Sequence, residues 1–334
     1  MKELAFVLFD EENIAGRQGV LLKSGFLKLY FGMALFRFIN RKKFNGRIRA
    51  FSTEDGFDIL MLGLPFSQSS LNGLNRNYLA RYISRICSEN CCARCFIPRA
   101  AKWKGSFPEY YTDTGTRLNV FKGLLIPVIN GIYTRAGVRL EELDIAIICG
   151  DDLQELSILV KQLEPLVKYI NVAATDKESA IAVLDEISSD SGMPIFTSSD
   201  FNSIIRNADL VINLGSPAFI SRCRIRKQTL VINLNTSGSP ILQGEFPIIN
   251  GVEFIFPEEQ YKVFGKDILR NYTKTELTEI LMALKAGLTD KNEYSEVTAH
   301  KLLKIFSSDG CRITGFTGRR AVLLPEDVNK AIQL

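Results

Sequence analysis

The segment Gly150-Asp151-Asp152 carries the residue types most open to a chemical reading. It follows an apolar run, Ile145 to Cys149, and precedes a helical pattern of Leu153, Leu156, Leu159, Val160 and Leu163. A strand, a glycine and a helix in that order are how a phosphate-cradling βαβ unit begins. In such a unit two further glycines let the backbone approach a pyrophosphate, and helix N–H groups point at it. Here Asp151 and Asp152 follow the first glycine instead. Two carboxylates at a helix N-terminus suit the dipole but repel a phosphate placed there. The segment reads either as the border of a nucleotide pocket or as an ordinary turn with acidic first residues.

Other candidates sit at the ends of later apolar runs. Asp176 follows the second run, where an acid binds a ribose 2′-hydroxyl and argues for NAD over NADP; it equally suits a helix cap before Lys177. Gly215-Ser216-Pro217 and Asn235-Thr-Ser-Gly238 close two more runs, and small polar residues there suit a ligand crevice or a plain turn. Cys87, Cys91, Cys92 and Cys95 form a cluster with one Cys-x-x-Cys, but no second pair follows and the only histidine, His300, is far away. The usual zinc spacings are thus absent and no metal is expected. Cys95 is left as the candidate thiol nucleophile, set against a buried strand cysteine. For His300 no acid–base partner can be identified, and a surface or packing role is the default.

Composition bounds the setting. The chain has 334 residues, enough for two domains, and its 46% hydrophobic and 23% charged residues are ordinary for a globular protein. No signal peptide or membrane span is read from it: the most apolar segment, Gly25 to Ile39, is short and carries Lys28 and Arg37. Seven cysteines, an odd number, fit a reducing compartment, so a cytoplasmic location is expected. The net charge of +4 hides an asymmetry, because residues 1–108 hold 17 Lys and Arg against 8 Asp and Glu. From Asn13 to Thr53 there are nine basic residues and no acid, among them Arg37, Arg41, Lys42, Lys43, Arg47 and Arg49. Such a run attracts an anionic ligand or an acidic partner, or is a plain solvated face. No nucleic-acid motif accompanies it.

The elements that must position these residues follow from periodicity. Strands are expected at Glu3 to Phe9, Arg47 to Ser52, Asp58 to Leu64 and Cys91 to Ile97, and helices at Gly25 to Ile39 and Asn75 to Cys87. Ala100 to Thr116 reads as a loop and the domain boundary. Arg117 to Ala136 reads as a helix bent at Pro127. Strands at Ile145, Tyr169, Met193, Asp209, Thr229 and Val252 then alternate with helices, which predicts one parallel, doubly wound sheet over 144–256 with the Ile145 strand inside it. Helices Lys274 to Leu288 and Tyr294 to Phe306 close the chain.

The order Thr114-Gly-Thr116, Gly137-Val-Arg-Leu140, Ile145-Ala-Ile-Ile-Cys-Gly150 resembles the nucleotide-binding half of the shikimate dehydrogenase and glutamyl-tRNA reductase superfamily. Within it the chain is most similar to the long-chain acyl-[acyl-carrier-protein] reductases. Ala208-Asp-Leu-Val-Ile-Asn213 resembles the strand by which those proteins approach the nicotinamide, and Cys95-Phe-Ile-Pro98 a tetrapeptide of their first domain. The resemblance covers roughly residues 90–310 and implies a Rossmann fold, an NAD or NADP cofactor and an acidic carrier-protein partner. It departs from the family at three places. The loop after Gly150 is about two residues short and lacks the later glycines. The helix Glu276 to Gly287 carries Met282 near the position of the family's nucleophilic cysteine. The Lys and Asp pair of shikimate dehydrogenases finds no match.

The expectation is an α/β protein with a basic N-terminal α/β domain (1–110), a doubly wound parallel Rossmann-like domain (111–270) and C-terminal helices that pack back (271–334). Gly150, Asp176, Gly215, Ser216 and Asn235 are the expected cofactor-side residues. The expected function is a non-catalytic or altered-ligand binding protein of the dehydrogenase type. The alternative is an NAD(P)-dependent reductase acting on an acyl or other anionic substrate.

Overall fold

The computed structural model describes residues 2–9, 48–52, 57–64, 76–99, 114–235, 245–288, 294–318 and 322–333. The chain divides into two compact units, Met1–Thr114 with Pro257–Leu277, and Gly115–Phe256 with Thr278–Leu334. The C-terminal part from 271 onward is therefore not a unit of its own.

The first unit is built on β1 (Lys2–Phe9), β2 (Ile48–Ser52), β3 (Phe57–Leu64), α1 (Arg76–Glu89) and β4 (Cys92–Phe96). Its sheet has the order β2-β3-β1-β4, with β1 parallel to β3 and β4, and β2 antiparallel to β3. Leu4, Ala5, Phe6 and Val7 of β1 are all buried, as an interior strand covered on both faces requires. The expected helix at Gly25 to Ile39, and Arg37, Arg41, Lys42, Lys43 and Arg47, lie outside the described residues; Arg49 falls on β2 opposite Met61.

The second unit opens with α2 (Thr114–Gly123) and α3 (Leu125–Arg135). The break falls at Leu124 and not at Pro127 as expected. Pro127 sits in the first turn of α3, where no N–H is needed for an intrahelical bond. Thr114 to Thr116, read as loop, opens α2. Then come β5 (Ile145–Cys149), α4 (Leu153–Leu163), β6 (Ile170–Ala174), α5 (Lys177–Ser191), β7 (Ile195–Ser198), α6 (Phe201–Ile205), β8 (Leu210–Asn213), α7 (Pro217–Ser221), β9 (Leu230–Asn233) and β10 (Ile248–Ile249). All six strands run parallel in the order β10-β9-β8-β5-β6-β7. Numbered from β5, that is the 3-2-1-4-5-6 order of the Rossmann fold, with the strand order reversing between β5 and β8. Every residue of β5 is buried, as its unbroken apolar run predicts.

One expectation fails here. The strand at Val252 does not join the parallel sheet; the sixth strand is β10 instead. Residues Gly251–Ile255 form β11, antiparallel to β12 (Arg312–Thr317), which pairs in turn with β13 (Val322–Leu323). Between β11 and β12 lie α8 (Gly265–Asn271), α9 (Lys274–Ala286) and α10 (Glu296–Ser308), and α11 (Pro325–Gln333) ends the chain. The division between the units falls inside α9. No helix among the described residues is long and apolar enough to cross a membrane.

Candidate functional site

The turn after β5 is held by its own acids. Asp152 is the N-cap of α4, and its Oδ1 accepts from the Glu155 N–H at 2.9 Å. The Asp152 carbonyl accepts from Leu156 N, and the Asp151 carbonyl from Leu153 N. The Glu155 and Leu153 contacts take up first-turn donors that a pyrophosphate would use, while the Leu156 bond is the first ordinary bond of the helix. Counting Gly-x-Gly-x-x-Gly from Gly150 puts Asp152 at the second glycine and Glu155 at the third. Glu155 Oε1 is ion-paired with Lys122 Nζ of α2, and the two side chains are only 18% and 8% exposed. An ion pair between a buried lysine and a partly buried glutamate thus stands where a dinucleotide loop has hydrogen atoms.

Gly150 and Gly215 meet where the strand order reverses. Leu214 and Gly215 both donate their N–H to the Ile148 carbonyl, at 2.9 and 3.2 Å. A Cβ on Gly215 would lie 3.2 Å from Gly150 N and 3.1 Å from the Phe219 ring. The neighbours there are a main chain and a ring stacked on Phe201, so neither yields easily. Gly215→Ala is expected to destabilise the second unit by about 1–3 kcal/mol, as overpacking does. Denaturant unfolding measures it, and an unchanged midpoint would show that the seam has slack.

The remaining expected residues are caps and turns. Both Asp176 carboxylate oxygens are engaged by Ser179, Oδ1 by its N–H at 3.1 Å and Oδ2 by its hydroxyl at 2.6 Å. The Ser179 hydroxyl and N–H hold the Asp176 carboxyl below the usual range. Ser216 caps α7 through Ala218 N. Asn235 N donates to Asn233 Oδ1, and residues 236–244 lie outside the described residues. Of the predicted set, the structure brings Gly150 and Gly215 together; it gives Asp176 and Ser216 capping contacts.

Sequence reasoning met Asn213 only as the end of a strand and missed the relay it forms with Asn233 and Asn250. Asn213 Nδ2 donates to Asn233 Oδ1 at 2.9 Å, Asn233 Nδ2 to Asn250 Oδ1 at 3.0 Å, and Asn250 Nδ2 to the Gly318 carbonyl at 3.3 Å. Asn213 and Asn233 end β8 and β9 and are paired in register. A signal was present, since Leu-Val-Ile-Asn-Leu occurs twice, at 210–214 and 230–234.

Most of the cysteines are buried. Cys87, Cys92, Cys95 and Cys149 are buried, and Cys91 is exposed. Burial, then the carboxylates of Asp152, Asp151 and Glu155, push the Cys149 thiol up to about 12. A reagent must reach the sulfur, so iodoacetamide at about pH 8 should label the exposed Cys91 and spare the buried Cys95 and Cys149. Peptide mass spectrometry reads this directly; rapid labelling of Cys95 would return it as a candidate nucleophile. Among the described residues no group of three or more His, Cys, Asp or Glu is placed to hold a metal.

No protein-family model matches the sequence, and no curated protein matches it either. Solved structures similar to it include shikimate dehydrogenase in complex with NADP+, 12% identical over 91% of this chain and 95% of that one, with a TM-score of 0.31. L-tryptophan dehydrogenase from Nostoc punctiforme is 12% identical over 99% of this chain and 87% of that one, TM-score 0.31. Delta(1)-pyrroline-2-carboxylate reductase from Thermococcus litoralis, in complex with NADH and L-proline, is 16% identical over 36% of each chain, TM-score 0.24. The chain thus spans about a third of that reductase's length. These superpositions are loose, and the fold assignment stands on the strand order of the sheet itself.

Proposed function

We propose that the chain is a Rossmann-fold protein of the dehydrogenase type that has given up the usual dinucleotide pose and serves as a binding protein for a different ligand. The observation that carries this is the capping of α4 by Asp152, with its Oδ1 2.9 Å from Glu155 N. The donor that should face a phosphate faces a carboxylate of the chain itself. The Lys122–Glu155 pair supports the same reading. Hydride transfer by a dehydrogenase of this type needs a bound nicotinamide, and an acyl-thioester needs a thiolate. On α9 the position that resembles the reductases' cysteine is Met282, fully buried, whose thioether forms no thioester.

The acid-free run from Asn13 to Thr53 supports an anionic partner, bound more weakly as salt rises because screening shortens the reach of exposed charges to about 8 Å at physiological ionic strength. A thermal-shift screen against NAD+, NADP+, coenzyme A thioesters and acyl-carrier protein tests the reading, since a ligand of the native state raises the midpoint. The expected result is no shift with either dinucleotide. A clear shift with NADP+ or NAD+ would restore the reductase on an anionic substrate.

A further inference from the structure

We infer that an open cavity between α4, α5 and α10 is a binding site for a cationic amphiphile, a primary ammonium group carried on an apolar body. The site lies wholly within the second unit and shares no lining residue with the Gly150–Gly215 seam. It is a second site, independent of the proposed change at the dinucleotide turn.

The cavity encloses about 450 Å³ and opens to solvent. Small-molecule sites run from about 300 to 1,000 Å³, so there is room for a ligand of a dozen heavy atoms or so. Leu153, Gln154, Ser157 and Ile158 of α4, Val183 of α5 and Glu296 of α10 line it. Helical spacing explains the share of α4, since residues three and four apart lie on one face. Ile158 is buried and packs with Tyr294 and Ala299, which fixes the floor. Leu153 and Val183 are half-buried and supply the rest of the apolar wall.

The polar groups of the wall are available to a ligand. Ser191 and Ser307 turn their hydroxyls back onto the carbonyls of Ile187 and Leu303, one helical turn earlier. Among the described residues the Ser157 hydroxyl makes no such bond, and the Gln154 amide makes none either. Both side chains carry an oxygen that can accept from an ammonium N–H.

Charge decides the class of ligand. Glu296 puts a carboxylate on the lining, while its partner Lys161 stands outside the lining, 3.6 Å away in an exposed pair. Exposed pairs of that kind contribute little, so a ligand cation can take the place of Lys161. Lys301 and Lys304 come further along α10 and do not line the cavity. The exposed residues next to the lining ones are acidic: Asp151 and Asp152 precede Leu153, and Asp185 and Glu186 follow Val183. From 151 to 191 the chain has nine Asp and Glu against three Lys and no Arg. A field of that sign draws in a cation and turns away a carboxylate.

Three probes of nearly one shape test this: phenethylammonium, phenethyl alcohol and phenylacetate. Ligand-observed NMR with the full chain at low salt is expected to rank them in that order, the ammonium at least about fivefold tighter than the alcohol. Glu296→Gln keeps the shape and removes the charge, so the ammonium should fall to the affinity of the alcohol. Ser157→Leu fills the cavity, and binding of all three should be lost. Should that variant not fold, Gln154→Phe closes the cavity from an exposed position and serves instead. The inference is overturned if the ammonium does not bind, if phenylacetate binds as tightly, or if either the Glu296 or the filling variant leaves ammonium binding unchanged. Dinucleotide binding is read separately, so none of these results decides the proposed function.

Discussion

Lys122→Met is expected to destabilise the second unit by about 3 kcal/mol, the largest single-site loss we predict. The substitution leaves the Glu155 carboxylate, 18% exposed, without its cation. Taking a charge out of water is costly, and its partner's attraction is what offsets that cost. Replacing both residues, as Lys122→Met with Glu155→Leu, should recover most of the loss, because an apolar pair of similar volume carries no desolvation penalty. The two-unit chain need not unfold in one step, so the transition to follow is that of the second unit. A double-mutant cycle in urea measures the coupling. A loss under about 1 kcal/mol for Lys122→Met would mean that solvent reaches Glu155 and that the pair behaves as a surface one.

Replacing Asp151 with Gly and Asp152 with Ala should improve NAD+ and NADP+ binding by at least about fivefold and up to about a thousandfold. The range follows from one carboxylate–phosphate repulsion at about 4 Å, about 1 kcal/mol in bulk water and about 4 at an effective dielectric near 20. The same change frees Glu155 N, which now donates to Asp152 Oδ1. It removes the α4 cap as well, at a cost of about 1 kcal/mol in stability. Lower stability with higher nucleotide affinity is therefore the expected joint signature. Unchanged affinity in a folded variant would show that the Lys122–Glu155 pair or the short loop blocks the pose by itself.

Much of the sheet could be read from apolar runs. Ile145 to Cys149 has no polar alternation because neither of its faces meets water. The strand at Val252 was misassigned for a physical reason: a short apolar run does not say which neighbour it pairs with, and β11 finds β12 some sixty residues later. The bend expected at Pro127 moved to Leu124, since a proline in the first turn of a helix costs no hydrogen bond.

At the site, local chemistry was legible and long-range chemistry was not. Asp152 three residues before Glu155, and Asp176 three before Ser179, have the spacing of caps, and both cap. The Lys122–Glu155 pair joins residues 33 apart, and the asparagine relay needs the register of β8 with β9. No local pattern encodes either.

Isothermal titration of the unmodified chain with NAD+ and with NADP+ tests the central claim most directly. With Asp152 capping α4, neither dinucleotide should bind with a dissociation constant below about 1 mM. Micromolar binding of either, with the pyrophosphate seated on the N–H groups of Leu153 and Glu155 in a crystal of the complex, would contradict the account.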